Sequence, residues 1–138
     1  VYRFAAGTFA SPSIFASGVG CIEGIAFSPT GQLIAALWST GEIYQITPGG
    51  TSPAQHVLWV SGLTGPLNFA FDPIRGQVYA SNTSTIVRIP SPGHIITVAT
   101  GFSGGIGAGT YDLDFDASGN LYVDDFTTSR LWKFTRIQ

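Results

Sequence analysis

The residues best equipped for chemistry gather near the carboxyl end. Asp112, Asp114 and Asp116 alternate, so on an extended strand their side chains share one face. Alternating carboxylates also open calcium loops. Here, however, Ala117 stands where the turn glycine belongs and no glutamate closes the run. Asp116 matches Asp72 and Ser28 in position before a turn, and its expected work is side-chain bonding to the turn backbone. Asp114 takes a place held by Ala26 and Ala70 elsewhere in the chain. A carboxylate there needs polar surroundings, so it is read as lining a wet channel, with contact to an ion or ligand as the alternative. Asp124 and Asp125 follow the next strand and are expected to be solvated.

Other constellations are weaker. Gly101-Phe102-Ser103-Gly104-Gly105 matches G-x-S-x-G, but a nucleophile elbow needs a helix after the serine together with His and acid partners. The glycine-rich run continues to Gly109 instead, so a connecting loop is expected. The same run lacks the Lys-Ser/Thr and the helix that a phosphate cradle requires. His56 and His94 are each isolated and are expected to be exposed starts of strands. Trp38, Trp59 and Trp132 are expected to pack between layers, with a sugar-stacking platform as the functional alternative. Cys21 is the single cysteine, which excludes an internal disulfide and suggests a small buried apolar residue.

Composition bounds what could position these groups. The chain has 138 residues, 44% hydrophobic and only 10% charged, against about 25% charged in ordinary domains. A net charge of -2 and a pI near 5.4 argue against nucleic acid, which calls for a basic face. No apolar run is long enough to span a membrane as a helix. The chain opens on Val1 and has no methionine, which suggests a processed product or a piece of a longer chain. Few charges, abundant Ser, Thr and Gly, and the sequon Asn82-Thr83-Ser84 suggest an extracellular or secreted setting with glycosylation at Asn82.

An internal repeat organises the whole chain. Residues 24–33, 68–78 and 112–121 each read apolar–x–Phe, a turn, Gly, then Gln or Asn before an apolar strand. A third strand follows in each case: Ile43-Tyr44-Gln45-Ile46, Ile86-Val87-Arg88-Ile89 and Leu131-Trp132-Lys133-Phe134, with Val1-Tyr2-Arg3-Phe4 fitting the same pattern. A fourth strand ends in Ser or Thr and then Gly at Gly18, Gly62 and Gly101. Four strands over a period of about 40–50 residues mark a β-propeller. With strands lettered a to d from the axis outward, the segments are c-d over 1–18, full blades over 19–62 and 63–101, and a partial blade a-b-c over 110–138. The expected fold is therefore all-β: about three four-stranded antiparallel blades, completed by oligomerisation or by a longer parent chain. An open array leaves sheet edges and apolar faces uncovered.

Asp116-Ala117-Ser118-Gly119-Asn120-Leu121-Tyr122-Val123-Asp124-Asp125 followed by Ser129-Arg130-Leu131 resembles the NHL repeat, a pattern shared by SMP-30/gluconolactonase-like six-bladed propellers. The resemblance extends over nearly the whole chain. Its lactonase branch implies a divalent ion, Ca²⁺ or another, held by oxygen ligands at the inner starts of blades. The corresponding residues here are Glu23, Asn68 and Asp112. Counted from the turn glycines, with the one-residue longer turn of the second repeat allowed for, Glu23 stands one step earlier than the other two, and a one-residue slip turns a strand side chain to the opposite face.

Two classes of function follow, with a third beside them. The first is a binding or structural module that presents rim loops to protein or glycan, or assembles with copies of itself through unpaired terminal strands. The second is a metal-dependent lactonase- or esterase-type hydrolase. The third is a lectin.

Overall fold

The segment Leu33-Ile34-Ala35-Ala36-Leu37 is buried along its entire length. A strand with no wet face must be covered on both sides, and that is how the molecule is built. The computed structural model describes residues 1–7, 11–102 and 112–136. Within them lie thirteen β-strands and one 3₁₀ turn, Pro53–Gln55. No helix among the described residues is long and apolar enough to cross a membrane.

The strands form four antiparallel sheets in chain order. Strands β1 (Tyr2–Arg3) and β2 (Ser13–Ile14) make a two-stranded sheet. Strands β3 (Ile22–Phe27), β4 (Leu33–Leu37), β5 (Glu42–Gln45) and β6 (Val57–Val60) make the first complete blade. Strands β7 (Phe69–Phe71), β8 (Val78–Asn82), β9 (Thr85–Ser91) and β10 (His94–Thr100) make the second. Strands β11 (Leu113–Phe115), β12 (Leu121–Asp125) and β13 (Arg130–Phe134) make a sheet of three. Every pairing is between chain neighbours, the meander that defines a propeller blade. The innermost strands stand side by side, with β7 next to both β3 and β11.

The core is three apolar layers, each between two sheets. Ala16 and Val19 pack on Leu33, Ala35, Leu37, Tyr44 and Ile46. Ile34, Ala36, Ile43, Val60 and Leu63 on the other side of the first blade meet Phe69, Val78, Ala80, Val87 and Ile89. Ala70, Ile86 and Phe102 meet Leu113, Leu121 and Val123. Alternate residues of one strand therefore serve two different layers, as strand geometry requires. Alanines at 35, 36 and 80 are fully buried and let adjacent sheets approach closely.

The a–b turns use the expected chemistry. Asp72 Oδ1 accepts from the backbone N–H of Ile74 and Arg75, and Ser28 Oγ accepts from Gln32 N–H. Asp116 does most: Oδ1 accepts from Ser118 and Asn120 N–H, and Oδ2 from the Asn120 amide and the Tyr122 hydroxyl.

Three expectations are corrected. His56 is buried, not exposed. The 3₁₀ turn folds it back beneath Gly50, where a Cβ would stand only 2.5 Å from its Cε1. Its Nδ1 accepts from Thr47 N–H at 3.1 Å, so the ring proton belongs on Nε2, which donates to Ser17 O at 3.1 Å. Asp125 is buried as well, because β12 runs on through it and its Oδ1 accepts from Thr128 N–H. Cys21 is exposed, since Val19 takes the core position in that loop.

Candidate functional site

The inner ends of the three a strands line one concavity of about 380 Å³. Ile25, Phe27, Phe69 and Phe71 give it apolar walls, and Asn68, Asp112 and Asp114 give it polar ones. Backbone register fixes which residues share a row. Phe27, Phe71 and Phe115 pair with Leu33, Val78 and Leu121. Counting inward, Ala26, Ala70 and Asp114 form the next row, then Ile25, Phe69 and Leu113, and finally Gly24, Asn68 and Asp112.

The last row is built by contact. Asn68 Nδ2 donates to Asp112 Oδ1 at 2.5 Å. Asn68 Oδ1 accepts from Phe69 N–H at 2.8 Å, and Asp112 Oδ1 also accepts from Leu113 N–H at 2.9 Å. On the other side, a Cβ on Gly24 would lie 2.7 Å from Leu67 O and 2.9 Å from Asn68 Oδ1. Only glycine leaves room for the Asn68 amide there.

Side chains on the neighbouring b strands hold this row in place. Ser81 is fully buried, its hydroxyl accepting from Leu67 and Asn68 N–H and donating to Asn68 O. Asp124 does the same in the last sheet, where its Oδ1 accepts from Asp112 N–H at 2.6 Å. The first blade has Ala36 at that position, opposite Gly24. Register puts Ala36, Ser81 and Asp124 at equivalent positions, whereas the sequence reading expected Asp124 to be solvated. The signal was present: a hydroxyl or carboxylate closing strand b wherever strand a opens on a polar residue.

Asp114 is exposed in the concavity, and its Oδ1 accepts from its own strand at Phe115 N–H. For Asp112 and Asp114 the second carboxylate oxygen has no partner among the described residues.

Of the three residues the family resemblance assigns to metal, Asn68 and Asp112 meet. Glu23 is the extra residue of a β-bulge, since Ile22 pairs with Leu37 and Gly24 with Ala36. The bulge absorbs the one-step offset and leaves Gly24, not Glu23, in the row. As it stands the pair suits a cation poorly. An amide N–H occupies the side of Asp112 Oδ1 where an ion would be shared. Flipping the amide would set an NH₂ against Phe69 N–H. Among the described residues no three His, Cys, Asp or Glu side chains gather as a metal-binding group.

Asn82 ends β8, half-buried, its amide oxygen accepting from Thr64 N–H and its nitrogen donating to Thr85 Oγ1. Thr83 holds a φ of 58° in the two-residue turn that follows. Ser103 and the run from Gly104 to Gly109 lie outside the described residues. Trp59 packs partly against the middle layer, whereas Trp132 is exposed.

Comparison with known proteins supports the fold and stops there. No protein-family model and no curated protein matches the chain. Among solved structures, it is similar to a PQQ-bound aldose sugar dehydrogenase from Streptomyces coelicolor, at 21% identity and a TM-score of 0.66 over 80% of this chain and 39% of that one. It is also similar to virginiamycin B lyase from Staphylococcus aureus, at 15% identity and a TM-score of 0.59 over 85% and 42%. A third is an auxiliary nutrient binding protein from Bacteroides ovatus, at 15% and 0.53 over 84% and 32%. The chain is a β-propeller-like array. It spans about two fifths of the length of the first two neighbours, which are of six-bladed type. A dehydrogenase, a lyase and a binding protein on one architecture show that the fold leaves activity open.

Proposed function

We propose that the chain is an extracellular binding module of the propeller class, and that its axial concavity seats a hydroxyl-rich ligand such as a glycan. The observation that carries this reading is the pair of carboxylate oxygens of Asp112 and Asp114 that have no partner among the described residues, beside the exposed apolar side chains of Ile25 and Phe27. Carboxylate oxygens accept from sugar hydroxyls, and apolar walls take the sugar's C–H face. A glycan screen followed by calorimetry tests it. Asp114→Ala should reduce affinity at least tenfold while leaving the fold intact, because Asp114 is exposed and bonded only within its own strand. Unchanged binding in that variant, or no glycan bound at millimolar concentration, ends the reading.

The second reading is a metal-dependent hydrolase of the SMP-30-like class, with Glu23, Asn68 and Asp112 as ligands to Ca²⁺ or a similar ion. What favours it is the meeting of Asn68 and Asp112 at the axis. It requires the ion to displace the amide–carboxylate bond. Calcium or manganese should then raise the melting temperature, and no shift at millimolar metal counts against it.

A further inference from the structure

A second recess lies at the same end of the sheets as the row of Gly24, Asn68 and Asp112. Strand β4 ends at Leu37, opposite the start of β3 at Ile22. The turn Trp38-Ser39-Thr40-Gly41 therefore stands on the rim where the inner strands begin. The loop Leu63-Thr64-Gly65 runs beside it on the way to Asn68. Together they line a pocket of about 280 Å³. Every lining residue belongs to the first blade or to the loop that joins it to the second, and both blades have all four strands.

Backbone bonds pin both walls. Gly41 N–H donates to Leu37 O at 3.1 Å and closes the turn, while Gly41 O accepts from Leu63 N–H at 3.0 Å. On the far side, Thr64 N–H donates to the Asn82 amide oxygen, and Thr64 O accepts from the Thr83 hydroxyl. Gly65, with a φ of 63°, lies against the Trp38 indole, where a Cβ would stand 2.7 Å from Nε1. The loops are thus held without using their polar side chains. The indole N–H of half-buried Trp38 and the hydroxyls of Ser39, Thr40 and Thr64 have no partner among the described residues. No charged side chain lines the pocket.

We propose that this pocket is a second subsite for a sugar ligand, so that the chain binds an oligosaccharide lying from the axial concavity out to the rim. The proposal rests on the glycan reading of that concavity. An indole offers a flat π-face to the C–H face of a sugar ring, and its N–H is a donor. Free hydroxyls both donate and accept, which is what sugar hydroxyls need from a partner. The uncharged lining favours a neutral polyhydroxylated ring over an ion. Walls already fixed by backbone bonds lose little freedom when the ligand arrives. The spacing agrees as well. Gly65 of the pocket and Asn68 of the concavity are three residues apart in the chain, so at most about 11 Å separates them, a distance that a trisaccharide bridges.

Calorimetry with glucose, mannose, galactose and N-acetylglucosamine, each as the single sugar and as its oligomers up to the trisaccharide, tests the subsite. Affinity should rise with length. Trp38→Ala should lower trisaccharide affinity about tenfold and leave unchanged the monosaccharide binding that Asp114→Ala reduces. Thr64→Val keeps the side-chain shape at an exposed position and removes only a hydroxyl without a partner among the described residues. It should lower trisaccharide affinity about threefold at an unchanged melting temperature. In a chain carrying Trp59→Phe and Trp132→Phe, the emission of Trp38 should shift when the trisaccharide is added. Sugar binding that is sensitive to Asp114→Ala but equal for one and three units overturns the subsite and leaves the axial reading standing. So does trisaccharide affinity untouched by both Trp38→Ala and Thr64→Val. A Trp38 emission that responds to a proline-rich peptide and to no sugar overturns it in favour of a protein partner. Failure of every sugar to bind removes the axial reading and this one together.

Discussion

Asp116 shows how much one side chain settles at this scale. Its carboxylate is held below the ordinary aspartate range, first by the Asn120 side chain and then by the Asn120 backbone N–H; desolvation opposes these, and Tyr122 and Ser118 add smaller lowering effects. Because the folded value is lowered, the group's contribution to stability is complete above the ordinary aspartate value and disappears as pH falls through the lowered one. Asp116→Asn should therefore destabilise the protein at neutral pH, and the difference from wild type should shrink in acid, as read by urea melts across a pH series. His56 is the second case. Replacing it with Phe leaves Thr47 N–H and Ser17 O without their ring partners and should cost about 1–3 kcal/mol, measured by chemical denaturation. Both residues stood in plain view in the sequence. The turn motif made Asp116 readable, since its bonds are local. His56 misled because its partner Ser17 is thirty-nine residues away and no local pattern reports such a contact.

Individual strands were legible from their alternation and turns, and the repeat ordered them into sheets. Register within a blade followed from the turn glycines in the second and third repeats. In the first repeat it did not, because a bulge at Glu23 adds a residue that the count cannot distinguish from a slip. That one residue decides whether Glu23 or Gly24 faces Asn68. Gly24→Ala tests the consequence: its Cβ would press on backbone at Leu67 and on the Asn68 amide. The variant should lower the melting temperature and break the Asn68–Asp112 bond, seen as a shift of the Asn68 amide resonances. Ser81→Ala should cost about 1–3 kcal/mol, because it strips a partner from two backbone N–H groups at the start of β7.

Stability of the molecule resides in layers between sheets, and the layers differ in completeness. The middle one is sealed, with Ile43 fully buried. Ile43→Ala should cost about 2–5 kcal/mol in a denaturant titration. Leu131→Ala, at an exposed position, should change the stability by less than about 0.5 kcal/mol. The sequence alone determined an all-β repeat of blades, because apolar alternation and turn residues act over a few positions and recur with a fixed period. The tertiary structure alone decided that Asn68 bonds Asp112, that Ser81 and Asp124 anchor that row, and that His56 and Asp125 lie inside. The Asn68–Asp112 bond and the seat of His56 depend on segments about forty residues apart arriving at one point. A linear pattern shows which residues share a strand face, while closeness in space is set by how the sheets stack around their axis.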